Sequence, residues 1–545
     1  LRVIGNTMHG GLSVTGLPEH PNLDHLKKQA KNLLRLYQAG DATAFARLRN
    51  SLPTAHGKDD AAIVALGLKL HDMQSCIARE YGLPSWRSLR DYVEWTNAGI
   101  SQSRKETVPL WLHDIYGHMD DRSRPVLAAR KLAARPDLGR GELFLACATG
   151  DEAAIRAAIA ADPACVNVTA NNWPCPCGKE LLDMPPLVAV THSGLLRLLE
   201  FQDRLRRCAR ILLDAGADPN QSWTHSSGYS LSALYGAAGK NHDVELTRML
   251  LDAGANPNDN ESLYHSTENR DLTCMRLLLQ AGATVEGTNA VHHILDRNEL
   301  DGLKLLLAYV KDFKALTSTI GDPLIWAIRR RRPRAHVEAL LSAGADPNAK
   351  TSHGISAHRF ALQNGLPEIA EALARAGAGP ATEEPLSIED QFVAACARAD
   401  RREAERILAL RPDIFKSLST LQLRQLPQLM ESRATNAVKL MVNLGWPIAA
   451  QGGDWSASAL NLAVFQGDAD MTRFLLEHGA AWTELHGFND NVRGTLSWAS
   501  RNNDPENGDW VGCAEALVDH GMPVDLEGNY SDEVAEFFAA HSSKT

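Results

Sequence analysis

The stretch Ile211-Leu-Leu-Asp-Ala-Gly-Ala-Asp-Pro-Asn220 returns almost unchanged as Met249-Leu-Leu-Asp-Ala-Gly-Ala-Asn-Pro-Asn258 and as Ala339-Leu-Leu-Ser-Ala-Gly-Ala-Asp-Pro-Asn348. Shorter copies stand at Leu277-Leu-Leu-Gln-Ala-Gly-Ala283 and Phe474-Leu-Leu-Glu-His-Gly-Ala480, and weaker ones at Ala372 to Ala378, Leu440 to Gly445 and Ala516 to Gly521. With the central apolar residue as register, the marks fall at Leu212, Leu250, Leu278, Leu306, Leu340, Leu373, Leu408, Met441, Leu475 and Leu517. The intervals cluster near 33 residues, and an earlier copy around Ile159 lies 53 residues before Leu212, so an insertion separates those two. A recurring period of this size marks a repeat architecture. Each block reads as the end of a helix with one apolar face, stopped by a Gly in left-handed conformation. Such a face is buried only by stacking on the neighbouring repeat, which predicts an all-α solenoid.

The upstream helix of each repeat opens at Asp322-Pro-Leu-Ile325, Ser232-Ala-Leu-Tyr235, Ser458-Ala-Leu-Asn461 and, with its small residues shifted by one, Gly494-Thr-Leu-Ser497. Together with the Leu-Leu-x-x-Gly blocks, these resemble the ankyrin repeat, whose helix-opening turn reads Thr-Pro-Leu-His. The resemblance covers about residues 140–530, or about eleven helix-turn-helix units, some of them degenerate. It implies an ankyrin-repeat solenoid and, by the habit of that family, a protein or peptide partner held in a concave groove.

Composition sets limits on the rest. The chain has 545 residues, 44% apolar and 22% charged, enough to bury several cores or one long array. A net charge of -10 argues against nucleic acid as the main partner. No apolar run reaches the roughly 18–20 residues of a membrane span. Nine cysteines, most of them in apolar helical stretches, suit reduced thiols in a cytoplasmic protein. Cys175-Pro-Cys177 is half a zinc site, which Cys165 and His192 complete only on paper. The segment Leu1 to Gly16 lacks the layout of a secretory signal. The opening Leu1 places the natural start upstream, at a non-standard codon or at Met8.

Residues 17–95 depart from the repeat. Apolar positions at helical spacing run from Leu23 to Tyr37 and stop at Gly40; a second pattern runs from Leu68 to Tyr81 and stops at Gly82; Ser85 then caps a third through Val93. His20-Pro-Asn-Leu-Asp-His-Leu-Lys-Lys-Gln-Ala-Lys31 and Ile77-Ala-Arg-Glu-Tyr-Gly-Leu-Pro-Ser-Trp86 resemble a short leader region ahead of the repeats in bacterial ankyrin-repeat proteins. This region reads as a helical cap on the stack. Residues 96–139 read as a tether with some helix, followed by two halves of the array, 140–382 and 383–530. The loop from Glu383 to Asp390 joins the halves, and Ser387 with Asp390 spells a capping box.

The candidate chemistry lies mid-array. Standard phosphate-loop, zinc-protease and nucleophile-elbow signatures are missing. Where an inner ankyrin helix is ordinarily apolar, Tyr264 is followed by His265 and Glu268, and His292 by His293 and Asp296. A His and an acid three positions apart share one helix face. The two repeats concerned are short, at 28 residues, while the preceding finger, Asp218 to Ser230, is long and carries Trp223, His225 and Tyr229. A long finger beside clipped ones outlines a notch, with Tyr235 before it and Trp326, Arg329 and Arg330 beyond it.

Two functions compete. The first is a binding scaffold whose groove recognises a protein or peptide, or a small anionic or aromatic ligand, with Trp223, His225, Tyr229, Tyr235, Trp326, Arg329 and Arg330 as contacts. His292 reads as structural in that case, and Trp455, Trp482 and Trp498 as further interface anchors. The second is a hydrolase, lyase or isomerase. In it His265 and His293 serve as acid and base, Glu268 and Asp296 orient them, Tyr264 or Tyr235 is the hydroxyl donor, and Arg329 or Arg330 holds a substrate anion. No cofactor is called for; a variant has the two histidines and two acids hold a divalent metal. A third reading puts the activity in the leader region, which shows packing positions and no cluster of reactive groups.

Overall fold

The computed structural model describes residues 17–18, 21–98, 103–117, 123–169, 183–224, 228–317, 321–379, 385–503 and 508–542. Cys175, Cys177, His225 and the Glu383 end of the joining loop lie outside the described residues. The chain divides into two compact units, Leu1–Ala233 and Leu234–Thr545.

The first unit begins with helices Leu23–Gln38, Ala42–Ser51, Leu70–Glu80 and Trp86–Ala98. Leu26, Leu33, Phe45, Ile77, Trp86 and Leu89 form their common core. Gly40 and Gly82 turn the chain with φ of 74° and 70°, and the Ser85 hydroxyl accepts from the Ser88 amide at 3.2 Å at the start of helix Trp86–Ala98. Where the sequence suggests a tether with some helix, helices Arg104–Tyr116 and Pro125–Ala134 form and pack together. Trp111 is buried and its indole N–H donates to the Ala128 carbonyl at 3.0 Å. Asp114, wholly buried, is neutralised by Lys131 at 2.8 Å and Arg124 at 2.7 Å. The Tyr116 hydroxyl donates to the Ala189 carbonyl at 2.8 Å, tying this pair of helices to the first repeats. The polar and basic residues that look like linker composition are here the partners of a buried acid.

The repeats are antiparallel helix pairs, among them Leu143–Thr149 with Glu152–Ala161 and Pro186–Thr191 with Leu199–Asp214 in the first unit. The second unit continues the pattern through Ser262–Ser266 with Thr273–Gln280, Ala290–Asp296 with Leu300–Leu307 and Pro323–Arg329 with Arg334–Ser342. It ends on Ala459–Phe465 with Ala469–Glu477 and Val492–Asn502 with Trp510–Asp519. Leu212, Leu250, Leu278, Leu306, Leu340, Leu373, Met441, Leu475 and Leu517 are all fully buried, as a stacking face requires, whereas at the remaining mark Leu408 is half-buried and Ile407 takes the buried position. The Gly after each outer helix has φ between 90° and 102° at Gly216, Gly254, Gly282, Gly344, Gly377, Gly445, Gly479 and Gly521, a conformation that costs other residues roughly 1 kcal/mol or more. This is the all-α ankyrin-repeat architecture. Among the described residues strand is confined to short hairpins in the fingers, Ser222–Thr224 with Ser230–Ser232 and Gln451–Gly452 with Ala457–Ser458. Among the described residues no helix is long and apolar enough to cross a membrane.

Candidate functional site

The inner helices of the second unit set rings from consecutive repeats against one another. Tyr235 meets His265 edge-on at 5.2 Å, His265 meets Tyr264 at 4.9 Å, and Tyr264 stacks on His293 at 4.4 Å and 21°. All four side chains are half-buried. The ladder exists because ankyrin inner helices place the same register position of each repeat side by side, and these repeats fill that position with rings in place of Ala or Leu.

The expected His265–Glu268 pair forms. His265 Nδ1 lies 2.8 Å from Glu268 Oε1, and its Nε2 lies 3.3 Å from a carboxylate oxygen of Glu261. Carboxylates only accept, so both ring nitrogens act as donors and the ring is held as an imidazolium. Burial works to lower the His265 pKa, but the hydrogen bond and charge of Glu268, with the charge of Glu261, outweigh it and leave a net rise.

His293 and Asp296 do not pair, although their spacing is the same. The Thr267 hydroxyl donates to the Tyr264 carbonyl at 2.6 Å, and His293 Nδ1 stands 2.6 Å from that hydroxyl oxygen. With its one proton spent on the carbonyl, the hydroxyl accepts from His293, which leaves a neutral ring with its lone pair on Nε2. Burial, first, and the Arg297 charge lower the His293 pKa, against an opposing pull from Glu268. Asp296 is drawn away by stronger partners: it accepts from the Trp326 indole N–H at 2.9 Å and from Arg330 Nε at 2.7 Å. The two histidines and two acids therefore do not converge as a divalent metal needs, and among the described residues no three such groups do.

Trp326, Arg329 and Arg330 face the groove but are not free contacts. Trp326 is only 7% exposed; His292 packs on it edge-on at 5.6 Å and the Arg330 guanidinium sits 4.4 Å over its ring. Arg330 also pairs with Glu431 at 2.9 Å and with Asp454, and Arg329 pairs with Asp454 at 2.6 Å. The anions these arginines were expected to take from a ligand are supplied by the chain itself. The other half of the arginine run caps carbonyls, since Arg331 donates to Asn364 O at 2.6 Å and Ala397 O at 3.1 Å. His292 is structural, its Nε2 3.0 Å from the Gly321 carbonyl.

Trp223 and Tyr229 lie on the finger hairpin of the first unit, Trp223 half-buried and Tyr229 61% exposed, whereas the ring ladder belongs wholly to the second. His225, expected between them, lies outside the described residues. Sequence reasoning missed Glu261, Thr267, Glu431 and Asp454. Glu261 was within reach, four residues before His265 on the same helix face. Nothing local points to Glu431 or Asp454.

No family model matches the chain, and no curated protein matches it. Among solved structures it is similar to the ankyrin repeat domain of human ASB11, at 20% identity and a TM-score of 0.20 over 43% of this chain and 98% of that one. It is also similar to the ankyrin repeat domain of Bcl-3, a unique member of the IkappaB protein family, at 20% identity and a TM-score of 0.21 over 47% of this chain and 99% of that one. The architecture stands on the helix pairs and glycine turns of this chain itself.

Proposed function

We propose that the protein is a partner-binding ankyrin array whose second unit grips a protein or peptide segment along its inner-helix face. The observation that carries this reading is the ring ladder from Tyr235 through His265 and Tyr264 to His293, half-buried aromatic surface shared by consecutive inner helices. Rigid rings that keep one face in water are good interface anchors. A second row supports it near the end of the same unit, where Trp455 meets Phe465 at 5.5 Å and Phe465 stacks on Trp498 at 5.7 Å, with Phe488 78% exposed beside His486. Free thiols at every described cysteine fit the expected cytoplasmic setting, and the bacterial leader resemblance of residues 17–95 remains part of this proposal.

The test is selection from a displayed peptide library on the full chain, with counter-selection on a Tyr264→Ala, His293→Ala variant. Groove binding predicts peptides that lose at least roughly ten-fold in affinity on the variant, as for anchors each worth about 1–2 kcal/mol. Selected peptides that bind both proteins equally would refute it.

One observation favours the enzyme reading: a cationic His265 and a neutral His293 flank the same Tyr264 ring, an acid and a base separated by environment. Against it, carboxylates occupy both nitrogens of His265, and Asp296 does not orient His293. Turnover of nitrophenyl ester or phosphate probes by wild type, lost in a folded His293→Ala variant, would reverse the preference.

A further inference from the structure

We propose that a chamber in the second unit receives the free carboxy-terminus of a polypeptide that ends in an apolar residue. The inference rests on the reading of this face as a peptide-binding surface and names the part of the partner that is held.

The chamber, about 520 Å³, lies between helix Pro323–Arg329, helix Ala357–Gln363 and the segment that carries Gln425. Its polar floor is oriented without ambiguity. Asp390 is a buried acceptor; Gln363 and Gln422 aim their amide N–H groups at it, at 3.0 and 2.8 Å. Asn364 donates its own amide to the Phe360 carbonyl, so its oxygen faces Gln425 and accepts from that amide at 3.0 Å. A glutamine whose NH₂ is held in this way presents its carbonyl oxygen elsewhere. The Gln422 oxygen is taken by Ser419. The oxygens of Gln363 and Gln425 accept from no group among the described residues, although Gln425 is only 6% exposed and lines the chamber. Both oxygens are open to solvent and can accept from a ligand's N–H groups.

The walls beside these oxygens are apolar, formed by Ile325, Phe360 and Val393. At the mouth Lys350 and Arg424 are exposed and make no ion pair among the described residues. Two acids line the chamber and both are engaged: Asp390 pairs with Arg359 at 3.3 Å, and Asp322 caps its helix by accepting from the Leu324 and Ile325 amides at 2.8 and 3.4 Å. The chamber therefore asks for N–H donors, an apolar side chain and a negative charge in one small ligand. The last residues of a polypeptide carry all three: backbone amides for Gln363 and Gln425, a side chain for the wall and a carboxylate for the two cations.

The experiment is calorimetric titration of the full chain with N-acetylglycyl-leucine and with its carboxamide. The acid should bind at millimolar concentration or better, and the carboxamide at least roughly ten-fold more weakly, the scale of one charge-assisted hydrogen bond. A Lys350→Glu, Arg424→Glu variant, altered only at exposed positions, should weaken the acid by a similar factor and leave the carboxamide unchanged. Equal binding of acid and carboxamide, no binding of either, or equal binding of inorganic phosphate would overturn the proposal. The probe does not engage the ring ladder. A chamber that fails while selected peptides still need Tyr264 sinks this inference alone; acid binding that survives in the Tyr264→Ala, His293→Ala variant, with no groove peptides found, sinks the broader reading alone.

Discussion

His265 and His293 occupy the same slot in consecutive repeats and have opposite proton chemistry. Glu268 and Glu261 bracket the first; burial and the Thr267 hydroxyl keep the second neutral. A histidine whose folded pKa is raised contributes stability that is complete below its unfolded value, about 6.5, and is lost as the pH climbs through the folded value. A histidine with a depressed folded pKa behaves in reverse, contributing above about 6.5 and losing that contribution as the pH falls through its folded value. In an NMR titration the His265 resonance should therefore have its midpoint above that of a model imidazole and the His293 resonance below it. Glu268→Gln should move the His265 midpoint down. Coincident midpoints would show that neither ring is held as described. The His265–Glu268 pair was legible because three residues along a helix fix a neighbour. The same spacing misled at Asp296, because Trp326 and Arg330 on the next repeat offer an indole N–H and a guanidinium, and charge-assisted bonds outbid a neutral imidazole.

At the level of the element, helix ends were the most readable part of the chain, since the Gly that stops each outer helix acts through its own φ. The two kinds of glycine turn differ in what surrounds them. Gly254 has φ of 94° and open space where a side chain would go, whereas Gly365, with φ of 68°, would drive a Cβ to 2.6 Å from the Ala394 carbonyl oxygen. Gly254→Ala should cost about 1 kcal/mol, the conformational penalty alone. Gly365→Ala should cost more, about 2–4 kcal/mol, by adding a backbone clash to that penalty. Urea unfolding of the two variants separates these outcomes, and equal losses would mean that the neighbouring repeat gives way freely. The packing of helices Arg104–Tyr116 and Pro125–Ala134 was hidden for a related reason. Asp114, Arg124 and Lys131 look like solvated linker residues until the fold closes them around one another. The capping box spelled by Ser387 and Asp390 is likewise half made: Ser387 caps the Asp390 amide, but the Asp390 carboxylate turns to the chamber glutamines.

On the scale of the whole molecule, the repeats within each unit are stabilised largely by contacts with adjacent repeats, the rule for stacked arrays. The second unit adds a departure from that rule. Arg330 joins Asp296 on the preceding repeat to Glu431 and to Asp454, a residue 124 positions away, and so couples repeats that do not adjoin in sequence. Its side chain is 12% exposed, and that of Glu431 16%, so the node is substantially desolvated. Arg330→Met should destabilise the second unit by about 3 kcal/mol, toward the lower end for breaking a buried pair, because Asp296 and Asp454 keep water contact. It should also broaden the unfolding transition, as distant repeats lose their link. Unchanged stability and slope in denaturant titration would show that the node contributes nothing net.

The repeat period, the helical class, the glycine stops and the stacking leucines were all determined by the sequence alone. Each depends on residues within one or two turns of each other, and a periodic array multiplies that local signal. The ring ladder was partly legible for the same reason, since one register position repeats from helix to helix. Only the tertiary structure decided which acid each histidine keeps, that Arg329 and Arg330 are satisfied by the chain's own carboxylates, and that Gln363 and Gln425 open onto one chamber. Those outcomes are set by competition among donors and acceptors brought together across three or more repeats. Spacing along the chain carries no record of that competition, because the strongest available partner in space wins.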